Sequence, residues 1–247
     1  MSSTSHEEVF SRIYEDGFWG VNETPKSGSG SIPVAAAPYV DLISSFVSKH
    51  EIKSVLDIGH GDWSMWKEYK FEGICYTGID VYTGASEFLS AEYGNKTRKF
   101  LAINAVGERL PKAQICISKD VLQHLPNSDV QAILEKCHKF EYMIICNDFY
   151  RYRVMDSVGA LRRFISIRER IVAVGQRKNP FYLKLKRTNS NISIGEHRAI
   201  NLQKYPFSKF VEDFSLIRKI DFNGSSYKRP NLVKRIYIFK IREGALS

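Results

Sequence analysis

Apolar residues along the chain fall into short continuous runs that are separated by helical patterns. The runs span residues 54–58, 75–81, 100–105, 114–118 and 142–146. Continuous hydrophobicity is typical of central strands that are buried on both faces of a sheet. Apolar residues spaced along one face predict helices over 63–69, 85–93 and 128–139, the last preceded by a turn and N-cap at 126–129. This alternation predicts a mostly parallel sheet with helices on both faces.

Both ends of the chain add elements to this sheet. An amphipathic helix over 9–19, a flexible Ser/Gly loop over 24–31 and a helix that opens at Pro38 precede the first strand. Near the other end, residues 214–222 and 232–241 alternate between apolar and polar and predict an antiparallel pair at the sheet edge. The predicted fold class is therefore α/β, with a seven-stranded sheet, a helical lead-in and an insertion before the last two strands.

Composition narrows the class of protein further. The chain has 247 residues, of which 43% are hydrophobic and 26% charged, and this suits one α/β domain with an insertion. No run of about eighteen apolar residues exists, and the polar N-terminus does not resemble a secretory signal, so we expect no membrane span. The four cysteines stand alone and not in CxxC pairs, which argues against structural zinc and disulfides. We expect a cytoplasmic protein in a reducing compartment.

The net charge of +9 is unevenly placed. Residues 150–206 carry thirteen Lys and Arg but three acidic residues, for +10, and residues 207–247 carry +5, which leaves −6 for residues 1–149. Such an asymmetry indicates an anionic partner that is bound by the second half of the chain. The alternative interpretation is a solvated basic face.

Glycines and acidic residues follow the first two predicted strands, at the edge where open α/β sheets bind ligands. The first strand leads into Asp57-Ile58-Gly59-His60-Gly61-Asp62, whose glycines let the backbone approach a ligand closely. Asp62 departs from the dinucleotide-binding fingerprint and would repel a pyrophosphate, which favours a zwitterionic or cationic ligand. The second strand ends at Asp80, about twenty residues on, where a carboxylate accepts hydrogen bonds from ribose hydroxyls.

These residues carry a resemblance to a known family. Val55-Leu56-Asp57-Ile58-Gly59-His60-Gly61-Asp62 and Gly78-Ile79-Asp80 resemble motifs I and II of class I S-adenosylmethionine-dependent methyltransferases. Ile103-Asn104-Ala105 and the segment 117–126, which is similar to the family's D-x-L-x-H-L motif, extend the resemblance over about residues 54–148. It implies a Rossmann-like fold, with S-adenosyl-L-methionine as cofactor and S-adenosyl-L-homocysteine as product. His60 departs from the family, which more often has a small residue or Cys there, and its ring would narrow the methionine end of the pocket.

The resemblance also implies roles for individual residues. Asp57, Gly59 and Gly61 would line the methionine portion, Asp80 would bind the ribose, and Val81 with Asn104-Ala105 would surround the adenine. Phe18-Trp19-Gly20 and the loop 27–31 resemble the lead-in of a methyltransferase group that often accompanies polysaccharide biosynthesis, which implies that they cover the cofactor; the alternative is a plain linker. The predicted cofactor-binding residues are Trp19, Ser29, Asp57, Gly59, His60, Gly61, Asp80, Val81, Asn104, Ala105 and Asp120.

Methyl transfer to a hydroxyl usually needs a base that takes the proton of the acceptor. The candidates are Asp120, His124 and Asp148 at predicted strand ends and His197 from the insertion. His197 is attractive because histidine titrates near neutral pH, although a surface histidine in a basic loop is equally compatible with the sequence. Asp120, Asn147 and Asp148 also offer oxygen ligands for Mg²⁺, but we predict no metal.

The predicted organisation has four segments. They are a cofactor-covering lead-in (1–50), a Rossmann-like cofactor-binding core (51–149), a basic acceptor-site insertion (150–206) and a strand pair that completes the sheet (207–247). The predicted function is O-methylation of a sugar, nucleotide-sugar or oligosaccharide acceptor that is anionic. One alternative is a nucleic-acid methyltransferase, although the Asn-Pro-Pro-Tyr type of motif for amino methylation does not follow the fourth strand. The sequence is also compatible with a nucleotide-binding domain or a cofactor-binding pseudoenzyme.

Overall fold

One seven-stranded sheet organises the computed structural model, which describes residues 5–20, 26–69, 71–150, 187–224 and 232–242. The strands are β1 (Ser54–Ile58), β2 (Cys75–Asp80), β3 (Arg98–Ala102), β4 (Ile115–Lys119), β5 (Tyr142–Tyr150), β6 (Phe214–Phe222) and β7 (Leu232–Ile241). Their order in the sheet is β3-β2-β1-β4-β5-β7-β6. Strands β1 to β5 are parallel, and β7 pairs antiparallel with both β5 and β6. The predicted fold class is confirmed.

Four α-helices flank the sheet in the described part of the chain. They are α1 (His6–Glu15), α2 (Pro33–Lys49), α3 (Thr83–Tyr93) and α4 (Asn127–Lys136). Successive residues of a strand point to opposite faces of a sheet, and Val55 and Leu56 of β1 accordingly belong to two different hydrophobic cores. One core also contains buried residues of α1 and α4, and the other contains buried residues of α2 and α3.

The strands predicted with the clearest pattern have the predicted bounds. Strands β1, β6 and β7 begin and end where the sequence indicated, and β2 and β4 differ by one residue at their ends. Strand β6 forms one edge of the sheet, with β7 between it and the parallel strands.

Several local predictions were wrong. The helix expected to open at Pro38 begins at Pro33, because Pro33 occupies the first turn, where a missing N–H costs nothing, and Pro38 lies inside the helix. The helix predicted over 63–69 is a single 3₁₀ turn, Ser64–Trp66, because Trp63 has left-handed backbone (φ 59°). The lead-in helix begins at His6, where the Ser5 hydroxyl accepts a hydrogen bond from the amide of Glu8 at 3.1 Å.

Three further boundaries were also misplaced. Strand β3 ends at Ala102, so Asn104 and Ala105 lie in the loop after it, whereas β5 continues to Tyr150 because it is paired with β7 along its whole length. Helix α4 begins without a side-chain cap, since Pro126 stands at its N-cap position. Such ends depend on pairing between strands and on loop contacts, which local pattern does not contain.

None of the helices in the described residues combines the length and the apolar character that crossing a bilayer requires. The four cysteines are free: Cys75 is exposed, and Cys116, Cys137 and Cys146 are buried. Most of the basic insertion lies in residues 151–186, outside the described residues. In its described part, the amides of Gly195 and Arg198 donate to carbonyls of the turn after β4, and the amide of Ile200 donates to the carbonyl of Asp148 in β5.

Candidate functional site

A cleft lies at the carboxyl ends of β1, β2 and β4. The strand order reverses between β1 and β4, and such a switch point is where open α/β sheets bind ligands. Ten of the predicted site residues line the cleft: Trp19, Gly59, His60, Gly61, Asp80, Val81, Asn104, Ala105, Asp120 and His124. The tertiary structure therefore brings together residues from the lead-in and from four strand ends.

The turn after β1 is shaped by side chains that press against its two glycines. Gly59 and Gly61 have positive φ angles of 78° and 59°, a region that L-residues rarely adopt. A Cβ on Gly59 would collide with Cγ2 of Val121, and one on Gly61 would lie 2.8 Å from Cβ of Ser27. Only glycine fits at both positions, and the backbone of this turn faces the cleft.

Asp80 closes β2 beside this turn and is fixed by two backbone amides. The amide of Gly61 donates to Oδ2 and the amide of Tyr82 donates to Oδ1, each at 3.0 Å. An ionised carboxylate offers about four acceptor sites, so both oxygens can accept further hydrogen bonds from a ligand. Asp80 is 8% exposed and lines the cleft.

Helix α1 covers one side of the cleft. Two contacts are made by the first residues of the helix: the Thr83 hydroxyl donates to Oε1 of Glu7 at 2.6 Å, and Nε2 of His6 lies 2.7 Å from Oδ2 of Asp129. The ring of Tyr14 stacks on Tyr82 with the ring centroids 5.1 Å apart. Helix α1 thus contacts both α3 and α4 across the carboxyl edge of the sheet.

The loop over residues 27–31, the cover loop, is joined to the turn after β1. The Ser27 hydroxyl donates to Oδ1 of Asp62 at 2.7 Å, which explains why the loop approaches Gly61 so closely. Burial, with the carboxylates of Asp80 and Asp62, raises the pKa of Tyr14, so its hydroxyl stays protonated at the cleft wall. Ser27 and Ser31 line the cleft, whereas Ser29, which begins the 3₁₀ turn that ends at Ser31, is not part of the lining.

Asp57 lies outside the cleft lining, buried on the α2 side of the sheet. Its Oδ2 accepts hydrogen bonds from Nε1 of Trp66 at 2.9 Å and from the hydroxyl of Tyr76 at 2.8 Å. Burial raises the pKa of Asp57 to about 6, against the opposing effect of these hydrogen bonds and of His60. Asp57 therefore connects the end of β1 to Trp66 and Tyr76.

His60 belongs to the cleft wall, and its ring is anchored on both nitrogens. Nε2 lies 3.0 Å from the hydroxyl of Ser86, Nδ1 lies 2.8 Å from the carbonyl oxygen of Gly61, and the ring meets Phe100 edge-on. These contacts direct the ring towards β3 and α3, and they fix the conformation of the turn.

Five ionisable side chains form a buried charge cluster at the ends of β4, β5 and β7: Lys119, Asp120, Lys234, Asp148 and His197. Asp120 accepts from Nζ of Lys119 on Oδ2 and from Nζ of Lys234 on Oδ1, both at 2.5 Å. Lys234 also contacts Oδ1 of Asp148 at 2.8 Å, and Oδ2 of Asp148 lies 2.8 Å from Nε2 of His197. Lys119 reaches further, to the carbonyl of Gly30 at 2.8 Å. The cluster thus connects the cover loop with the insertion.

The cluster decides which predicted bases can accept a proton. Burial alone would raise the pKa of Asp120 and Asp148, but the ammonium groups of Lys119 and Lys234, with His197 beside Asp148, outweigh it and hold both pKa values below the usual range. Both carboxylates are therefore ionised and weakly basic at neutral pH.

His124 is also a weak base. Burial, followed by the charge of His197, lowers the pKa of His124 to about 3. Its Nδ1 lies 3.0 Å from the carbonyl oxygen of Glu196, and its ring packs against Trp19 with centroids 4.7 Å apart. His197 lies behind His124, with ring centroids 5.5 Å apart, and keeps 30% of its side chain exposed. Neither His197 nor Asp148 belongs to the lining of the cleft.

At the site considered for Mg²⁺, between Asp120 and Asp148, lies the side chain of Lys234. The ammonium group of Lys234 contacts both Asp120 and Asp148, at the position that a bridging cation would take. The Asn147 side chain accepts from the amide of Gln123 at 3.1 Å. Across the described ranges, no group of three or more His, Cys, Asp and Glu is arranged to hold a metal ion.

Three basic residues of the site were not predicted from the sequence. Lys119 and Lys234 are 5% and 6% exposed. A signal existed for Lys119, the one charged residue of β4, but not for Lys234, because β7 also contains Arg235 and Lys240. Arg198 is 1% exposed and donates to the carbonyls of Leu122 and Leu125 at 2.6 and 2.9 Å. It fastens the segment that carries His197 to the turn that carries His124, and nothing local in the sequence marks it.

No protein-family model matches the chain, and no curated protein matches it either. Solved structures do. Magnesium protoporphyrin IX methyltransferase from Synechocystis PCC 6803, solved with bound SAH, superposes with a TM-score of 0.57 at 16% identity, covering 96% of this chain and 98% of that chain. N-methyltransferase NodS from Bradyrhizobium japonicum WM9 gives 0.52 at 10% identity, covering 85% and 98%.

The methyltransferase domain of the bacterial protein CtHen1 is a third match, with a TM-score of 0.52 at 13% identity, covering 84% of this chain and 100% of that domain. Sequence identities this low establish the fold alone. The chain has the Rossmann-like fold that these S-adenosylmethionine-dependent methyltransferase structures share.

Proposed function

We propose that the chain is a class I S-adenosylmethionine-dependent methyltransferase. The observation that carries the proposal is the juxtaposition, in one cleft at the switch point of the sheet, of the Gly59–Gly61 backbone and the Asp80 carboxylate. The same fold in the Synechocystis enzyme holds SAM and SAH, which supports the assignment.

The residues of the cleft fit this cofactor. The glycine turn leaves space that any Cβ would fill, and Asp80 keeps acceptor sites for two ribose hydroxyls. Val81, Asn104 and Ala105 would surround the adenine, and Trp19 with the 27–31 loop would cover the methionine end. Asp120, which lines the cleft, would face the amino group. When bound, S-adenosylmethionine supplies the methyl group.

We further propose that the acceptor is a hydroxyl of a sugar or glycan-type molecule that carries negative charge. His197 would accept the hydroxyl proton, because it is the exposed member of the pair with Asp148. Residues 150–206, at +10, would attract the anionic acceptor, and Trp19 offers an aromatic face. The four free cysteines support a cytoplasmic location.

Calorimetry tests the cofactor assignment. Asp80→Ala should weaken the binding of S-adenosylhomocysteine by about 1–3 kcal/mol, because it leaves ribose hydroxyls without acceptors. Asp213→Ala is the matched control, since Asp213 is an exposed aspartate away from the cleft lining. Equal affinity in the two variants would remove Asp80 from the site, and no binding to the wild type would overturn the proposal.

A by-product assay that detects S-adenosylhomocysteine identifies the acceptor class. Nucleotide sugars, oligosaccharides and RNA are offered in parallel to the wild type and to His197→Gln. We expect turnover with a sugar-bearing acceptor and its loss in the variant. Turnover with RNA alone would replace the acceptor proposal, and cofactor binding without turnover on any acceptor would indicate a pseudoenzyme.

A further inference from the structure

We propose that Lys234 is a positioning residue that orients the side chain at position 148 and thereby fixes the tautomer of His197. This inference rests on the proposed function in one respect, because His197 is the base in that proposal. It concerns two hydrogen bonds of the charge cluster, Lys234 to Asp148 and His197 to Asp148, which can be tested without an acceptor.

Strand pairing fixes the position of Lys234 beside Asp148. It lies opposite Asp148 in the antiparallel register of β5 and β7, and its side chain is 7% exposed. Its Nζ contacts Oδ1 of Asp148 at 2.8 Å and Oδ1 of Asp120 at 2.5 Å. Burial would lower the pKa of Lys234, but the two carboxylates outweigh it and raise the pKa, so the ammonium group keeps its charge.

The two oxygens of Asp148 therefore have different partners. Oδ1 faces Lys234, and Oδ2 faces Nε2 of His197 at 2.8 Å. The backbone beneath is fixed as well, since the amide of Asp148 donates to Oε1 of Gln123 at 2.7 Å. Without Lys234, Oδ1 of Asp148 would be left beside the like charge of Asp120, and nothing would set the orientation of the carboxylate.

This geometry selects one form of the imidazole. A neutral histidine has a single N–H, and the hydrogen bond at one nitrogen decides where it sits. Because Oδ2 of Asp148 can only accept, His197 carries its proton on Nε2 and keeps the lone pair on Nδ1. Nδ1 has no hydrogen-bond partner among the described residues, so it is the atom that can receive a proton from an acceptor.

The isosteric variant Asp148→Asn should change the tautomer of His197. Lys234 has only donors, so it must attract the amide oxygen of an asparagine, and the amide NH₂ must then face His197. A donor at that position requires the lone pair on Nε2, which moves the imidazole proton to Nδ1. The tautomer of His197 should therefore invert in Asp148→Asn, and only while Lys234 is present.

Nitrogen-15 spectroscopy of histidine-labelled protein at alkaline pH, where imidazoles are neutral, measures the tautomer directly. The His197 signals are assigned by their loss in His197→Gln. We expect the Nε2–H form in the wild type, the Nδ1–H form in Asp148→Asn, and a mixture of both forms in the double variant Asp148→Asn/Lys234→Met. The other five histidines serve as internal controls for folding in each variant.

Two further variants serve as controls. Lys240→Met, a lysine to methionine change in the same strand β7, should leave the inversion by Asp148→Asn in place, and Lys234→Arg, which keeps the donors and the charge, should also preserve it. Retention of the Nε2–H form in Asp148→Asn, or full inversion in the double variant, would overturn the role of Lys234. A failure of the proposed function would be seen instead as no cofactor binding, which leaves the tautomers unaffected.

Discussion

At the residue scale, the glycine turn after β1 is defined by the side chains that pack against its two glycines. The sequence marks Gly59 and Gly61 as places of close approach, but it does not show what approaches. In the structure, Gly59 faces the side chain of Val121, which follows β4, and Gly61 faces Ser27 of the cover loop. The motif is therefore a packing requirement of the protein as well as a surface for the ligand.

This explanation predicts the effect of Gly59→Ala. The variant should lose stability in two ways, by roughly 1–2 kcal/mol for a left-handed alanine and by about 1–3 kcal/mol for the collision with Val121. Gly73→Ala is the matched control, because Gly73 has a φ of 68° and no atom within 4 Å of an added Cβ. Denaturant unfolding compares the two variants; equal losses would mean that Val121 yields without cost.

Asp57 gives a prediction for the pH dependence of stability. Burial raises its pKa from 3.8 to about 6, so between these values the native state binds more protons than the unfolded chain, and stability falls as the pH rises. The wild type should lose about 2 kcal/mol relative to Asp57→Asn between pH 4 and pH 7. Unfolding of both proteins across this range measures the difference, and parallel curves would contradict it.

At the element scale, helix α1 covers the cleft through contacts with residues that are far from it in the sequence. Its contacts with Thr83 and Asp129 bridge 76 and 123 residues. Phe10 and Tyr14 of the helix line the cleft. A ligand in the cleft therefore lies against a helix that is held mainly by side-chain contacts, and such elements open more readily than a central strand.

Cofactor binding should accordingly protect α1 from hydrogen exchange. At a ligand concentration of about 100 times Kd, linkage provides about 2.7 kcal/mol, so the exchange of α1 amides should slow by up to about 100-fold. The amides of β6, at the far edge of the sheet, are the control and should change far less. Unaltered exchange in α1 with saturating S-adenosylhomocysteine would show that the helix does not cover the bound cofactor.

At the scale of the whole molecule, the charge differs between the two parts of the chain. Residues 1–149, which contain the residues that line the cleft, carry −6, whereas residues 150–247 carry +15. The cleft half would receive a cofactor with a positive sulfonium, and the other half would receive an anionic acceptor. Residues 151–186, which hold ten of the basic side chains, lie outside the described residues, so this division is an argument from sequence.

The charge distribution predicts how salt affects binding. Between 50 and 200 mM salt, the affinity for a nucleotide-sugar acceptor should fall less than about tenfold, because it contacts few cations, whereas the affinity for nucleic acid through six or more phosphates would fall by about 10³ or more. Titration of each ligand at both salt concentrations distinguishes them. A steep slope together with tight RNA binding would favour the nucleic-acid alternative.

The pattern of apolar residues and glycines was enough to locate most of the sheet and the backbone of the cleft. The strands β1, β6 and β7, the glycine turn and Asp80 could be located because burial on a sheet imposes a local repeat of apolar residues and because a tight turn requires glycine. The ends of α2, β3 and β5 could not, since they depend on neighbours that are distant in the chain.

The polar chemistry of the site depends on contacts between residues that are distant in the chain. Lys234 meets Asp120 across 114 residues and Asp148 meets His197 across 49, through strand register and loop packing that leave no periodic trace in the sequence. Sequence could propose four bases, but the ionisation of each depends on which charges surround it and how deeply it is buried. Ionisation therefore depends on the folded structure, because Coulomb energy and desolvation act between groups a few ångströms apart, whatever their separation along the chain.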